Sequence, residues 1–288
     1  MTDESLSMPV EFTPDPRDPY RIDAPALVSV SGGRTSGFML AKIIDAFGGS
    51  LPPDVIPVFC NTGREHEATL QFLKEIGSRW TPIVWLEYRY RPSTGRVHDF
   101  EVVDYCSASR NGEPFSQLIV AKKMLPNPVT RFCTSELKIR TGNRYAKSLG
   151  WDSWSRVVGL RADEPRRVAK IHGDGAAENA VCPMAEAGHT LADVSAFWAS
   201  QHFDLELPGN DHAFGNCDLC FLKGRSRIEK VMRTMPESAR WWTEQERGGN
   251  RFRNDRPTYG QMSAQLTVQG RLLDDAIDDD TMPCMCHD

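Results

Sequence analysis

Residues 26–88 alternate short apolar runs with segments of helical periodicity, and this alternation constrains the fold more than any other feature. The apolar runs predict strands at 26–31, 55–60 and 83–88, and the periodic segments predict helices at 36–47 and 65–79. Strands that are joined by helices run parallel, and a parallel sheet is covered by helices on both faces. The pattern therefore predicts an α/β protein with a doubly wound, mostly parallel sheet.

The rest of the chain predicts a smaller helical part. Helices are predicted at 115–124, 135–149, 190–201, 226–235 and 237–246, with one more short strand at 157–160. Residues 89–131 otherwise predict irregular structure, and Thr190 and Asp193 have the spacing of a capping box. We therefore divide the chain into an acidic, proline-rich tail (1–25), an α/β domain (26–172), a helical module with a C-x-x-C motif (173–273) and an acidic tail with a C-x-C motif (274–288).

Charge and cysteine content narrow the class of protein. The net charge of −5 is uneven, because residues 1–26 carry −4 and residues 274–288 carry −6, which leaves +5 on the body between them. The sequence has no secretory leader and no apolar stretch of about 18 residues that would predict a membrane span. We therefore expect a cytoplasmic protein with no membrane partner, in which the eight cysteines stay reduced. Such cysteines serve as core residues, metal or cluster ligands, or redox nucleophiles.

The sequence S-G-G-R-T-S, residues 31–36, stands between the first predicted strand and the first predicted helix. Glycines let the backbone turn tightly and approach a phosphate closely, and the N-terminus of the following helix offers N–H groups to an anion. Ser31 and Ser36 add hydroxyl donors. The loop lacks the G-K-[ST] ending of a Walker A loop. It favours phosphate binding, and the alternative is a plain tight turn between strand and helix.

Three segments resemble the PP-loop family of ATP pyrophosphatases, also called adenine nucleotide alpha hydrolases. Residues 31–36 are similar to its S-G-G-x-D-S loop, with Thr35 in place of the aspartate. Residues 61–69 are similar to the D-T-G-x-x-x-P-E-T segment of the phosphoadenosine phosphosulfate (PAPS) reductase-like branch, with Asn61, Glu67 and Ala68 in place of the aspartate, the proline and the glutamate. Residues 159–164 are similar to the G-[IL]-R-x-x-E turn of that branch, and the resemblance covers about residues 27–225.

The resemblance implies an adenine nucleotide alpha hydrolase-like fold that binds ATP with magnesium. The implied nucleotide-binding residues are Ser31, Gly32, Gly33, Arg34, Thr35, Ser36, Asn61, Thr62, Gly63, Glu65 and Gly159. Glu65 is the acid that would stand in for the missing aspartate. Lys138 and Arg161 are the implied catalytic cations, which neutralise charge that develops on the phosphate and substrate. PAPS reductases carry a modified loop, so the nearly intact loop favours a chain that binds ATP and promotes attack on its α-phosphate.

Cys217 and Cys220 form a C-x-x-C motif, which is half of a metal or cluster site. Together with Cys133 they resemble three ligand positions of the cluster-binding members of the same branch, the adenosine phosphosulfate (APS) reductases. One alternative is a [4Fe–4S] cluster with three cysteine ligands and an open iron. The others are a cluster with a fourth ligand from elsewhere, a zinc site and a redox dithiol. The candidates for a fourth ligand are Cys182, Cys284 and Cys286.

The C-terminal tail carries a second cysteine group. Cys284 and His287 keep the C-x-x-H spacing found in the catalytic tail of PAPS and APS reductases, which implies a nucleophilic thiol at Cys284 or Cys286. The alternatives are an additional ligand pair for the cluster and a disordered tail that tolerates cysteine.

These features predict an ATP-binding enzyme that activates its substrate by adenylation with release of pyrophosphate, for iron–sulfur-dependent sulfur transfer. The alternatives are a PAPS or APS reductase that uses a thioredoxin-like reductant, and a nucleotide-binding regulatory protein without activity. Residues 131–170 carry a net charge of +6. This charge suits the anionic nucleotide itself, or tRNA or DNA as the sulfur acceptor, and the alternative is a solvated helix face. A small-molecule acceptor and a separate sulfur donor are further implied partners. The adjacent Trp241 and Trp242 predict a core anchor rather than a base-stacking surface.

Overall fold

A computed structural model of the chain describes residues 15–95, 97–172 and 179–269. Its strands are β1 (Ala26–Ser29), β2 (Val55–Asn61), β3 (Val84–Tyr90), β4 (His98–Val103), β5 (Ser155–Val157) and β6 (Ala180–Val181). The first three are the strands predicted between residues 26 and 88. The strand predicted at 157–160 is β5, which ends three residues earlier because the chain turns there.

Seven of the ten helices in the described residues lie close to predicted positions, whereas those at Pro165–His172, Pro183–Glu186 and Tyr259–Gln269 are not predicted from the sequence. The helices are α1 (Arg34–Ala46), α2 (Glu67–Arg79), α3 (Glu113–Lys122), α4 (Thr141–Ser148), α5 (Pro165–His172), α6 (Pro183–Glu186), α7 (Leu191–Ala199), α8 (Arg225–Thr234), α9 (Ser238–Gln245) and α10 (Tyr259–Gln269). The basic helix predicted at 135–149 is divided, because a π-helix, Thr134–Arg140, precedes α4. The predicted capping box is present at the start of α7, where the amide N–H and the hydroxyl of Thr190 are both hydrogen-bonded to the carboxylate of Asp193.

The sheet has the strand order β4-β3-β2-β1-β5-β6, and all neighbouring strands are parallel except β3 and β4. Ala26 of β1 lies opposite Val55 of β2 on one side and opposite Ser155 of β5 on the other. The chain therefore leaves β1 in one direction and later returns to its other side. Open α/β sheets bind their ligands at this switch point, beyond the carboxyl ends of the strands. The predicted α/β class with a mostly parallel sheet is confirmed.

Helices cover both faces of the sheet because successive residues of a strand point to opposite sides. Ala26 and Val28 of β1 pack in a larger core with residues of α1 and α2. Leu27 packs on the other face in a smaller core with Ala146 of α4. The two layers of helices account for the doubly wound arrangement.

The helical segment after β6 shares the larger core with the sheet. Ile228 of α8 and Tyr259 of α10 belong to the same cluster of buried residues as β1. Trp242 is fully buried and Trp241 is 8% exposed. The pair is therefore a core anchor, as predicted.

The structure differs from the predictions in several parts, which include α5, α6 and β6. β4 lies in a stretch predicted to be irregular, because its polar residues interrupt the apolar alternation, as suits a strand at the edge of a sheet. α10 is also unexpected, since only Tyr259 and Met262 of its first turn are buried apolar residues. Part of the predicted N-terminal tail packs on the core, where Tyr20 is 4% exposed and its hydroxyl is hydrogen-bonded to Nδ1 of His189 at 2.7 Å.

The predicted acidic tail at 274–288 lies outside the described residues. Within the part of the chain that the structure describes, no helix has both the length and the apolar character needed to cross a membrane.

Candidate active site

The loop at residues 31–36 connects β1 to α1 at the switch point. The amide N–H of Ser31 donates to Oγ of Ser36 at 3.1 Å, and the Ser36 hydroxyl lies 2.9 Å from the carbonyl oxygen of Gly33. These bonds close the loop on itself. Gly33 stands at the N-cap of α1 and has no side chain to bond the first N–H groups of that helix. These groups are therefore available to an anion.

Gly32 has a backbone that only glycine adopts without strain. Its φ is +84°, and a Cβ atom there would lie 2.4 Å from Cγ2 of Thr69. Thr69 is 2% exposed, and its hydroxyl oxygen has no hydrogen-bond partner among the described residues. Because a buried polar atom without a partner costs about 1–3 kcal/mol, Thr69 beside Gly32 has the features of a group that awaits a ligand.

The turn that follows β5 lies beside the glycine loop. A Cβ at Gly159 would be 3.4 Å from Cα of Ser36, so glycine permits the close approach of the two segments. Nη1 of Arg161 donates to Oγ1 of Thr35 at 3.2 Å. The predicted phosphate loop and the predicted arginine turn are thus in direct contact.

Two acids hold the arginines of this turn. Nε of Arg161 donates to Asp163 at 2.9 Å, and Glu164 contacts both Arg161 and Arg167. Nη2 of Arg167 is buried and has no hydrogen-bond partner among the described residues. The turn therefore holds a guanidinium whose donor capacity is only partly used.

Both segments line a cavity of about 420 Å³. Its cationic lining residues are Arg34, Arg161, Arg167, Lys223 and Arg227, and no Asp or Glu of the described residues lines it. Leu205 and Leu207 add apolar surface, and Cys220 adds a thiol. The cavity therefore suits a ligand that carries both an anionic and an apolar part.

A smaller cavity of about 90 Å³ shares Ser31 with the larger one. Leu27, Val58 and Val158 supply apolar lining. The predicted catalytic Lys138 lines this cavity and not the larger one. Cys60 also lines it, and burial raises the pKa of its thiol to about 12.

The predicted binding residues after β2 do not line either cavity. Asn61 is fully buried, and its amide donates to Glu87 at 2.6 Å and to the carbonyl oxygen of Ser109 at 2.9 Å. Glu65 accepts from the amide N–H and the hydroxyl of Thr62, at 3.0 and 2.9 Å. Asn61 at the end of β2 and Thr62, Gly63 and Glu65 therefore shape the start of the following loop, and none of the four lines a cavity together with the glycine loop.

The C-D-L-C segment is anchored to that same loop after β2. Arg64 and Asp218 form a buried ion pair, and the hydroxyl of Thr62 lies 3.4 Å from Sγ of Cys217. Nζ of Lys223 lies 2.6–2.8 Å from the carbonyl oxygens of Ala213, Gly215, Cys217 and Asp218. The buried ammonium group of Lys223 thus holds the backbone around the C-D-L-C segment in place through four hydrogen bonds.

The predicted ligand set for a cluster or zinc ion does not come together as a metal site. Among residues 15–95, 97–172 and 179–269, no group of three or more His, Cys, Asp or Glu side chains is arranged to hold a metal ion. Cys133, Cys217 and Cys220 are partly buried, form no disulfide within the described residues and pack against the larger core. Cys182, proposed as an additional ligand, is fully buried in a separate cluster. Cys284 and Cys286 lie outside the described residues.

Comparison with known proteins identifies relatives in bacteriophages. The uncharacterized nin region protein ORF290 of Escherichia phage lambda is 31% identical over 208 residues, which are 70% of this chain and 67% of the lambda protein. The chain belongs to the ORF290 family. A second relative of this family member, an uncharacterized 37.8 kDa protein in the gpa 5′ region of Escherichia phage 186, is 28% identical over 170 residues. That match spans about half of each protein, 50% of this chain and 49% of the phage 186 protein.

A scan against protein-family models finds no match for this ORF290 family member. Among solved structures, it is similar to the PAPS reductase of Candida auris in its phosphate complex, with a TM-score of 0.36 and 13% identity over 64% of this chain and 75% of the reductase. It is also similar to the U34-tRNA thiolase NcsA of Methanococcus maripaludis with its [4Fe-4S] cluster, with a TM-score of 0.36 and 14% identity over 87% of this chain and 76% of the thiolase. Superpositions this loose carry no argument about function.

Several cavity residues of the ORF290 family member have no sequence signal that singles them out. Leu205 and Leu207 lie in one segment before α8 and Arg227 lies on α8, so they meet the glycine loop only in the fold. Thr69 ends the segment similar to D-T-G-x-x-x-P-E-T, and Arg167 follows the arginine turn. The motifs therefore carry a sequence signal for these two residues.

Proposed function

We propose that this chain is a PP-loop-type enzyme that binds an adenine nucleotide and activates a substrate by adenylation, with release of pyrophosphate, for sulfur transfer. The observation that carries the proposal is the contact between the glycine loop and the arginine turn at the switch point of the sheet, where Arg161 donates to Thr35 at 3.2 Å. Open α/β sheets bind their ligands at this position.

The phosphates of the nucleotide have three kinds of donor in this site. The N–H groups at the start of α1 point toward an anion, Gly32 lets the backbone approach it, and Arg161 and Arg167 line the same cavity. The orphaned hydroxyl of Thr69 and the orphaned Nη2 of Arg167 are further donors, because each is buried without a hydrogen-bond partner in the described structure. The donor set therefore fits a polyphosphate.

The smaller cavity supports an adenosine moiety next to the phosphates. It shares Ser31 with the larger cavity and is lined by Leu27, Val58 and Val158, which suit the apolar faces of a purine. Pockets of this kind, apolar with a few polar groups, are typical of small-molecule sites. A nucleotide with its base in the smaller cavity and its phosphates at the glycine loop would pass Ser31.

The chemistry follows from the charges that surround the phosphates. An oxygen of the acceptor attacks the α-phosphorus, the bond to the β-phosphate oxygen breaks, and pyrophosphate leaves with the negative charge. Arg161 and Arg167 stabilise this charge as it develops, because they are fixed guanidinium groups in a partly buried site. A sulfur nucleophile then displaces AMP from the adenylated acceptor.

One observation favours a second candidate function, the reduction of a sulfonucleotide. Cys220 lines the same cavity as the glycine loop, so a thiol is available on the phosphate side of the site. In that reaction the thiol sulfur attacks the sulfonyl sulfur, and the adenosine bisphosphate leaves. A thioredoxin-like dithiol then displaces sulfite and becomes a disulfide, which accounts for the two electrons.

Product analysis separates these functions. The full chain is incubated with ATP and sulfide, alone and with tRNA or DNA, and the products are resolved by chromatography. Adenylation predicts AMP and pyrophosphate in equal amounts, together with thiolated acceptor, and an Arg161→Gln variant is expected to lose them. Sulfite release from PAPS with thioredoxin, without AMP from ATP, would establish the second function. Formation of ADP would overturn attack at the α-phosphate, and bound ATP that is never turned over would favour a regulatory protein.

A further inference from the structure

PP-loop pyrophosphatases carry an aspartate at position 35. In this chain the residue is a threonine, and its hydroxyl is hydrogen-bonded to an arginine. Thr35 is 4% exposed, and Nη1 of Arg161 donates to its hydroxyl at 3.2 Å. A hydroxyl in this place brings no negative charge to the cavity. The arginine that contacts it brings a permanent positive charge.

The carboxylates that surround the cavity are already paired with its cations. Asp204 binds Arg34 through two hydrogen bonds of 2.7 and 2.6 Å. Asp163 binds Arg161 at 2.9 Å, and Glu164 contacts both Arg161 and Arg167. None of these three acids is among the lining residues of the cavity.

Glu65, the acid that the sequence offers as a substitute, is committed elsewhere. Its carboxylate accepts the amide N–H of Thr62 at 3.0 Å and the hydroxyl of Thr62 at 2.9 Å. It lies in the loop after β2 and does not line the cavity. Among the described residues, the acids near the phosphate site are therefore bound to its arginines or to the loop after β2, and none of them lines the cavity.

Magnesium does not fit this donor set. The ion prefers a nearly octahedral shell of oxygens and is held in proteins by one or two carboxylates together with substrate phosphates. Here the residues that would have to hold it are guanidinium groups, which repel a divalent cation. The same groups are well suited to a phosphate, because a guanidinium donates two parallel hydrogen bonds to an oxyanion.

We infer that the site binds its nucleotide as the metal-free polyphosphate anion, with Arg161 and Arg167 in the role that magnesium fills in other ATP-using sites. This inference rests on the proposed function, since it concerns the same nucleotide. It differs from the magnesium requirement that the family resemblance implies. Free ATP would bind better than its magnesium complex, because the ion competes with the arginines for the phosphate oxygens.

Titration calorimetry with ATP tests the inference on the full chain. The titration is run once in EDTA and once with an excess of magnesium. We expect the apparent affinity to be at least about fivefold higher in EDTA, where each tenfold corresponds to 1.4 kcal/mol. Binding that requires magnesium, or is tightened by it, would overturn the inference and leave the proposed function standing. An absence of binding in both buffers would overturn the proposed function as well.

A pair of variants at position 35 makes the test independent of the wild-type affinity. Thr35→Asp adds a carboxylate beside Arg161, and Thr35→Asn adds an uncharged side chain of the same size. We expect magnesium to tighten ATP binding by Thr35→Asp at least about tenfold relative to its effect on Thr35→Asn. Equal responses of the two variants to magnesium would contradict the inference. Thermal unfolding of both variants establishes that they are folded before the titrations are compared.

Discussion

Arg64 and Asp218 form an ion pair in which each side chain is only 9% exposed. The pair joins the loop after β2 to the C-D-L-C segment, and Nε1 of Trp242 donates to the same carboxylate at 2.8 Å. The buried negative charge of Asp218 is compensated only while both Arg64 and Trp242 donate to it. The pair therefore links the sheet to the helical segment that completes the large cavity.

Removal of the charge on Asp218 is expected to destabilise the protein. Asp218→Asn leaves the guanidinium of Arg64 buried without a counter-ion, which costs about 3–5 kcal/mol. The matched control is Glu244→Gln, which breaks the exposed pair with Arg240 and is expected to cost less than about 1 kcal/mol. Urea unfolding of both variants measures the difference. Equal losses of stability in the two variants would show that the buried Arg64–Asp218 pair contributes no more to the free energy of unfolding than the exposed pair does.

Neighbouring arginines allow a test of the phosphate donors. Arg167 lines the cavity and has a buried, unpartnered Nη2, whereas Arg166 is exposed and does not line it. We expect Arg167→Met to weaken ATP binding about 10–100-fold, because a hydrogen bond to a charged group contributes roughly 1.5–3 kcal/mol. Arg166→Met removes the same charge and is expected to change the affinity less than about threefold. Similar losses of ATP affinity in both variants would show that the arginines act only through long-range charge and that Arg167 does not contact the phosphates.

Glu136 is the centre of a second buried charge cluster, on the π-helix. It is 1% exposed and accepts from Lys122 at 2.7 Å, from Arg140 at 2.8 Å and from Arg144 at 3.2 Å. Burial alone would raise the pKa of Glu136, but the hydrogen bonds from Lys122 and Arg144 outweigh it and hold the pKa below its usual range. The ionised form is therefore favoured by folding.

The sign of that shift fixes a pH dependence. The stabilisation is present above the pKa of an unfolded glutamate, about 4.3, and is lost as the pH falls through the lower folded pKa. We expect Glu136→Gln to lower the free energy of unfolding by roughly 3–5 kcal/mol at pH 7 and by less at pH 3, which lies below the pKa of an unfolded glutamate. Urea unfolding at the two pH values measures this. A loss that is the same at both would contradict the role of the charge.

Two cysteines are expected to differ sharply in reactivity. Cys182 is fully buried, and burial raises the pKa of its thiol to about 11, whereas Cys106 is exposed. Because the thiolate is the reactive form, iodoacetamide at pH 8 should modify Cys106 rapidly and leave Cys182 intact in the folded protein. Peptide mass spectrometry reads out both sites, and denatured protein provides the control in which both react. Rapid modification of native Cys182 would contradict its buried position.

The central part of the fold is readable from the sequence because its physical cause is local. The strands β1, β2 and β3 are short apolar runs, as buried parallel strands must be, and the helices between them carry one apolar face. The contact between the glycine loop and Arg161 follows from the same topology, since the carboxyl ends of β1 and β5 lie side by side. The edge strand β4 is not predicted from the sequence, because its exposed face needs no apolar residues.

Side-chain partners are less predictable, because they depend on residues that are distant in sequence. Asn61 replaces a motif aspartate, and its amide donates to Glu87 of the neighbouring strand instead of facing the cavity. Lys223 binds backbone carbonyl oxygens, which are present in any sequence and leave no pattern. The motif comparison therefore finds the loop and the turn but assigns Asn61 and Glu65 to a site that they do not line.

The central claim is that the glycine loop holds the phosphates of ATP, and titration of one glycine variant tests it most directly. Gly32→Ala and Gly150→Ala introduce the same methyl group at the same φ of +84°, but only the first meets a neighbour, Cγ2 of Thr69 at 2.4 Å. The two variants therefore carry the same backbone strain and differ at the site. We expect calorimetry to show that Gly32→Ala weakens ATP binding at least about tenfold while Gly150→Ala binds as the wild type does. Unchanged ATP binding by a folded Gly32→Ala variant would contradict the account.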